Sequence, residues 1–421
     1  MGFEQRVNYY LNRFPKVKKA VKSVYQHAMV AVSRPPRCKG KVSRLSPNDP
    51  AWEYFFGYYD RSPWDRTDRY VLCLRAKETR KDVSPKEPAD ILLIDTKAKK
   101  DAPERVRKIA ETHTWNVQQG CMMQWLGPDC SARIIYNDFR NGQYVSVIHE
   151  IESGSERVIP APVYSVSEDG SYALTLDFSR LYSLRPGYGY YNLPEKTKGE
   201  ALPDAVAVRK IDLHTGEVTN LLTYKDFAAF EPREEMLDPR AVHKVNHLMI
   251  CPDGKRFMVL YRWFVGERKY TRLMTCNADG SEMYVLSDDD MVSHCFWKSN
   301  EEILAFENKK ESGPGYYLMK DRTQEFVHCW PEINGDGHPS YNPDRSMIVT
   351  DSYPDRKRVQ YLRVADSETE PLRTVAEVFS PFSYDNDTRC DLHPRFNRAG
   401  DRVCFDSVFE GRRRLYEVSV R

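Results

Sequence analysis

One short phrase recurs along this chain and restricts its fold more than any other feature. From about residue 50 onward, an aromatic or aliphatic anchor is followed by a turn rich in Asp, Asn, Pro or Gly, and then by a strand of apolar or alternating residues. The instances are SPWDRTDRYVLCL, QWLGPDCSARIIYND, YSVSEDGSYALTLD, MICPDGKRFMVLY, FWKSNEEILAFEN, SYNPDRSMIVTDS and RFNRAGDRVCFDS. Their anchors, Trp64, Trp125, Val166, Ile250, Trp297, Tyr341 and Phe396, are separated by 61, 41, 84, 47, 44 and 55 residues. Asp-Gly, Pro-Asp and Asn-Pro between β-rich segments supply the fixed or positive φ that tight reversals need. Further strands such as ADILLIDT, AVAVRKIDLHTGEV and YTRLMTCNADGSEMYVL follow within the units. Four short strands per unit at a period of ~45 residues predict a β-propeller, and seven anchors predict seven blades. Such a ring grows by adding units, so the expectation is one all-β domain over residues 46–421, preceded by a basic helix and linker over residues 1–45.

That N-terminal segment carries Phe3, Val7, Tyr10, Leu11, Phe14, Val17, Val21, Val24, Tyr25 and Ala28 near helical spacing, interleaved with Arg6, Arg13, Lys16, Lys18, Lys19 and Lys22. An amphipathic basic helix of this kind either lies on an anionic membrane surface or packs on the main domain with a solvated basic face. No uninterrupted apolar stretch precedes a small-residue cleavage site, which points to a cytoplasmic setting, at the inner face of the membrane if the helix is an anchor. No run of ~18 apolar residues is present for a membrane span. The 63 basic and 61 acidic side chains leave a formal charge of +2, too little for a nucleic-acid-binding field. Ten cysteines without a C-x-x-C pair read as buried free thiols in a reducing compartment.

If the anchors are equivalent, the residue three positions before each one takes the same place in every blade, facing the central channel. That column reads Arg61, Met122, Val163, His247, His294, His338 and His393, so four of the chain's ten histidines share it in four consecutive blades. Innermost strands converge at the propeller axis, and imidazoles gathered there suit a divalent metal such as manganese or zinc. Asp391, two residues before His393, shares its strand face and suits either a metal ligand or a partner that orients a histidine. Tyr59, Asp60, Arg61, Gln118 and Gln119 are polar groups in apolar company near the same axis. Arg61 either binds an anionic substrate group or pairs with Asp60, and the two glutamines are either structural or substrate-binding. The 84-residue unit holds an insertion, RLYSLRPGYGYYNLPEKTKGEALPDA, that either covers the functional face or only plugs the channel. Its Arg185, Tyr188 and Tyr190 would reach over the mouth, and Arg240 precedes the blade-four channel strand.

The segments NHLMICPDG, SHCFW and CDLHPRFNRAGDRVCFDS resemble the seven-bladed propellers of the oligogalacturonate lyases. The resemblance implies a divalent metal, typically manganese, held by channel histidines, with a further histidine and an arginine serving elimination. Carried over by motif, His294 and His393 match metal ligands and His247 the catalytic histidine. This chain departs from the family pattern, which has two histidines one residue apart with a glutamine upstream: here Asp391 stands before His393. Arg209 matches the family arginine only as a single residue, and His338 has no counterpart. The implied activity is β-elimination on a uronic-acid-containing oligosaccharide. In it, a metal at His294, His338, His393 and Asp391 neutralises the carboxylate, His247 is the base, and Arg61 or Tyr59 supports the leaving oxygen. A metal-dependent glycan hydrolase and a non-catalytic propeller that binds glycan or scaffolds polysaccharide assembly are the competing readings.

Overall fold

Seven antiparallel sheets succeed one another along the chain in a computed structural model that describes residues 15–81 and 87–421, with side chains from residue 21 onward. From the channel outward, blade one is Glu53–Phe55, Tyr70–Ala76, Ala89–Asp95 and Val106–Thr112. Blade two is Gln124–Trp125, Arg133–Arg140, Gln143–Glu150 and Glu156–Ile159, and blade three is Ser165–Val166, Tyr172–Thr175, Val206–Asp212 and Val218–Thr223. Blade four is Val242–Ile250, Arg256–Val265, Arg268–Asn277 and Tyr284–Ser287, and blade five is Val292–Trp297, Glu302–Lys309, Gly313–Lys320 and Phe326–Cys329. Blade six is Ser340–Tyr341, Ile348–Thr350, Val359–Ala365 and Arg373–Phe379, and blade seven opens with Arg395–Phe396, Arg402–Ser407 and Arg414–Ser419.

All seven anchors end their inner segment and pair with the start of the second strand. The pairs are Trp64 with Val71, Trp125 with Ile134, Val166 with Ala173, Ile250 with Phe257, Trp297 with Ile303, Tyr341 with Ile348, and Phe396 with Val403. The predicted seven-bladed propeller is therefore the observed fold, in the predicted register.

The residues ahead of position 46 join the ring. Val42–Arg44 is the outermost strand of blade seven, with Val42 opposite Val418 and Arg44 opposite Tyr416, so one sheet is built from both ends of the described chain. Cys38–Lys39 adds a fifth strand to blade six. Strands contributed this way cover edges that would otherwise expose unpaired backbone. Helix α1, Pro15–Ser33, precedes them and touches blade six. Gln26 Nε2 donates to the Asp355 carbonyl at 3.3 Å and the His27 ring stacks on Phe382 at 3.7 Å. Val21, Val24 and Val32 remain exposed, and no helix among the described residues is long and apolar enough to cross a membrane. The predicted apolar positions Phe3, Val7, Tyr10, Leu11 and Phe14 lie outside the described residues. All ten cysteines are unpaired and eight are buried, with Cys38 and Cys130 half-exposed.

Two departures from regular blades shape the channel. In blade one, residues 56–63 leave the inner strand between the Phe55–Leu74 and Trp64–Val71 pairs and cross the channel. Gly57 makes this possible: its φ is +123°, and a Cβ there would meet the Gln119 backbone at 2.7 Å. In blade three, the insertion after Thr175 begins with helix α2, Phe178–Leu184, whose first two free amides at Ser179 and Arg180 donate to the Asp177 carboxylate at 2.9 and 3.0 Å.

Arg180 then fastens the insertion to the ring. Its buried guanidinium donates to Glu195 Oε1 at 2.5 Å, to Thr197 Oγ1 at 3.1 Å, and twice to the His243 carbonyl at 2.7 and 3.0 Å. Glu195 is itself buried, so Arg180→Met strands a carboxylate and should cost ~3–5 kcal/mol. The expected result is faster amide exchange across residues 178–201 together with a lower melting temperature. Unchanged exchange there would refute the fastening role.

Candidate metal centre in the central channel

The four histidines of the predicted column converge. His294 and His338 have ring centroids 4.0 Å apart, and His338 and His393 4.4 Å. His247 lies on the far side of the two tyrosines that cross the channel, 5.6 Å from Tyr58 and 6.3 Å from Tyr59, ring to ring. All four imidazoles are buried.

Within this group, His338, Asp391 and His393 each offer a ligand atom, and these atoms lie within 4.8 Å of one another. Their orientation is set by one buried carboxylate, Asp351. Its Oδ1 accepts the His338 backbone N–H at 2.8 Å and faces His338 Nδ1 at 2.8 Å, while Oδ2 accepts the His393 backbone N–H at 3.2 Å. A carboxylate on Nδ1 takes the proton-bearing nitrogen, so Nε2 keeps its lone pair. The Nε2 atoms of both His338 and His393 are buried with no protein partner, an arrangement that wastes two acceptors unless something binds them. Asp391 is held by Arg389, whose Nε reaches Oδ1 at 2.9 Å and whose Nη2 lies 2.9 Å from Oδ2. Two imidazoles and one carboxylate form a donor set that suits manganese, zinc or another divalent first-row metal.

The electrostatics follow from this geometry. Burial works against a charged His338, but the Asp351 carboxylate outweighs it and holds the imidazole above its ordinary range. Burial depresses His393 well below that range, reinforced by His338 and Arg395. His294 falls through burial and the neighbouring His338, opposed by Asp336. Asp336 Oδ1 sits 3.0 Å from His294 Nδ1, and its other oxygen accepts from Ser293 Oγ at 2.6 Å. His294 thus stands beside the candidate trio of His338, Asp391 and His393 as a carboxylate-oriented imidazole. His247 is pushed down to about 3 by burial and by His294 and Arg61. Its Nδ1 meets Tyr164 Oη at 3.1 Å and its Nε2 is buried without a partner.

The remaining predicted residues fall into two groups. Arg185 and Tyr188 reach the centre: the guanidinium lies 3.8 Å over the Tyr188 ring, which meets Tyr58 edge-on at 6.3 Å, and the Tyr188 hydroxyl has no partner. The others are engaged elsewhere. Tyr59 Oη donates to the Cys295 carbonyl at 2.9 Å and accepts its N–H at 3.1 Å, which pins the crossing segment to blade five. Arg61 forks onto Asp60 with two bonds of 2.8 Å, the pairing that was one of its two readings. Gln118 Nε2 donates to the Arg389 carbonyl at 3.0 Å, and Gln119 Nε2 to Tyr164 Oη at 2.9 Å. Tyr190 is a core residue, stacked on Phe178 at 4.4 Å and bonded to Asn137 at 3.0 Å. Arg240 is 82% exposed on Asp238 and stands apart from the channel.

At the opposite end of the inner strands, three residues or about 10 Å further along, a cavity of about 390 Å³ is lined by Asp60, Arg61, Tyr341, Arg395 and Phe396 among others. Tyr59 lines it too, so the crossing segment separates this vestibule from the histidines.

Asp351, Asp336, Tyr58 and Arg389 were not picked out by the sequence reading. A signal for the first was present. Thirteen residues after the histidine column stand Glu307, Asp351 and Asp406, one carboxylate in each of the last three blades. Asp406 receives the Phe56 and Gly57 amides at 3.1 and 3.3 Å, so the same position again anchors a channel segment.

No protein-family model matches the chain, and no curated protein matches it. Solved structures do match in fold. An oligogalacturonate lyase from Vibrio parahaemolyticus is 16% identical, covering 91% of this chain and 94% of its own, with a TM-score of 0.60. An oligogalacturonate lyase in complex with manganese is 16% identical over 91% of this chain and 93% of that one, with a TM-score of 0.62. A prolyl endopeptidase, 12% identical over 99% of this chain and 54% of its own, has a TM-score of 0.51. At these identities the likeness establishes the propeller and leaves the chemistry to the site.

Proposed function

We propose that this propeller is a metal-dependent lyase that acts by β-elimination on a uronic-acid-containing oligosaccharide. The observation that carries the reading is the convergence of His338, Asp391 and His393, two of them with unpartnered Nε2 atoms, at a channel end also reached by Arg185 and Tyr188. The manganese complex of a lyase with the same fold supports it. The unpaired cysteines agree with a cytoplasmic setting, where an oligosaccharide rather than an intact polymer is the substrate.

His338, His393 and Asp391 would hold the metal. When bound, it supplies Lewis acidity that neutralises the charge developing on the substrate carboxylate. His294 accepts the proton next to that carboxylate at Nε2. Asp336 fixes its tautomer and stabilises the imidazolium that forms. This differs from the expectation for His247, which at about 3 is a weak base. Tyr188 donates its proton to the leaving oxygen and Arg185 steadies the phenolate, taking the place expected of Arg61 or Tyr59.

The test is incubation of the manganese-loaded protein with a panel of uronic oligosaccharides. The expected result is shortening of the chains together with an unsaturated, ultraviolet-absorbing end, abolished in His294→Ala. Shortening without that absorbance would identify a hydrolase on the same centre. Binding without shortening would identify the non-catalytic glycan-binding propeller.

A further inference from the structure

Blade four carries a row of buried hydrogen-bonding side chains, two atoms of which, Arg262 Nε and Thr271 Oγ1, have no protein partner. Lys244, Arg262 and Thr271 are direct cross-strand partners on its first, second and third strands, so their side chains share one face. That face turns toward blade five, because Arg262 Nη2 reaches the Val292 carbonyl, at 3.4 Å, two residues before His294. All three are buried, Lys244 to 1% exposure and Arg262 to 4%. The Lys244 ammonium lies 5.9 Å from the Phe264 ring. The acids around this face have cationic or polar neighbours of their own: Asp336 faces His294 and Ser293, Glu307 lies 2.9 Å from Lys309, and Asp290 pairs with Arg233 and Arg268 at 2.7 and 3.0 Å.

Two like charges facing each other across a ladder repel, and a buried cation without an anion is among the costliest arrangements in a protein. Two cationic donors and a hydroxyl that can also donate are the complement of an oxyanion such as a carboxylate or a sulfate. Arg185 adds a third cation from the insertion, close enough to help burial depress both Lys244 and Arg262.

We infer that Lys244, Arg262 and Thr271 form an oxyanion-binding pocket separate from the metal-ligand trio. It lies beside His294 and receives a second acidic group of the ligand. The pocket itself stands on the geometry above, while its assignment to a glycan rests on the proposed function. On that reading, the substrate carries at least two acidic groups, one at the trio and one at blade four.

Inorganic sulfate, titrated calorimetrically into metal-free protein against chloride of equal ionic strength, tests the pocket. Wild type should bind it saturably, and Lys244→Met should lose at least about tenfold in affinity, the value of one charge-assisted hydrogen bond. Thr271→Val, which keeps size and removes only the hydroxyl, should weaken sulfate in the same direction and guards against a folding defect in the lysine variant. His393→Ala should bind sulfate as wild type does. No saturable sulfate binding by wild type, or unchanged affinity in both blade-four variants, overturns the pocket. Digalacturonate should displace sulfate more strongly than galacturonate does. Failure to displace it from a protein that binds sulfate overturns the glycan assignment, whereas failure of the lyase reading shows separately as absent unsaturated product.

Discussion

Replacing His338 and His393 together by alanine should leave the purified protein without stoichiometric divalent metal, as read by elemental analysis, while wild type reconstituted with manganese retains it. The two imidazoles supply two of the three ligand atoms that lie within 4.8 Å of one another, and Asp391, already held by Arg389, cannot hold a metal alone. The variant should still fold. Both Nε2 atoms lack protein partners, but His338→Ala also takes Nδ1 away from the buried Asp351 carboxylate at 2.8 Å, so the metal-free double variant should keep the fold and melt below metal-free wild type. The proposed lyase activity should fall by several orders of magnitude, because the charge on the substrate carboxylate would then develop without its counterion. Metal retained at full stoichiometry in the double variant would remove the trio from consideration.

Asp351→Ala should be the most damaging single change near the channel. Its carboxylate accepts two backbone amides, from His338 and His393, and faces His338 Nδ1, all in the protein interior. Alanine leaves those donors buried and unsatisfied, at an expected cost of ~3–5 kcal/mol in denaturant unfolding. Asp351→Asn keeps an acceptor for one amide and should cost less. It should nevertheless weaken metal binding, since a neutral amide no longer fixes the His338 tautomer.

The pH dependence has a definite sign. Asp351 lies below the ordinary carboxylate range: burial raises it, but His338 and its hydrogen bonds prevail. Its contribution is present above the unfolded carboxylate value and is lost as pH falls through the lowered one. His338 is raised, so its contribution is present below the unfolded imidazole value and is lost as pH rises through the raised one. In metal-free protein, the stability gap between wild type and Asp351→Asn should therefore be widest between about pH 4 and pH 6.5 and should narrow on both sides. A gap independent of pH would show that the carboxylate acts through the backbone amides alone.

Local and distant contacts differ in how far the sequence encodes them. The anchor-turn-strand phrase was legible because hairpin pairing is set within a few residues, and all seven anchors pair as their spacing implies. The histidine column was legible for the same reason, since a fixed offset from an anchor is a fixed place on the segment that enters each blade at the channel. The roles within the column were not legible. Asp336 reaches His294 from 42 residues away and claims its Nδ1, and Tyr59 is tied to Cys295 across 236 residues. Arg61 and Tyr59 stand near the axis, yet each already has a partner within the protein.

Sequence alone thus determined the repeat, the blade count and the convergence of four imidazoles, because each depends on periodicity and on strand geometry that repeats with it. Only the tertiary structure decided which imidazoles keep a free nitrogen, which carboxylates orient them, and that Lys244 and Arg262 face each other without an anion. Those outcomes turn on hydrogen-bond partners brought together from different blades, and no periodicity along the chain encodes which partner a buried polar atom will find.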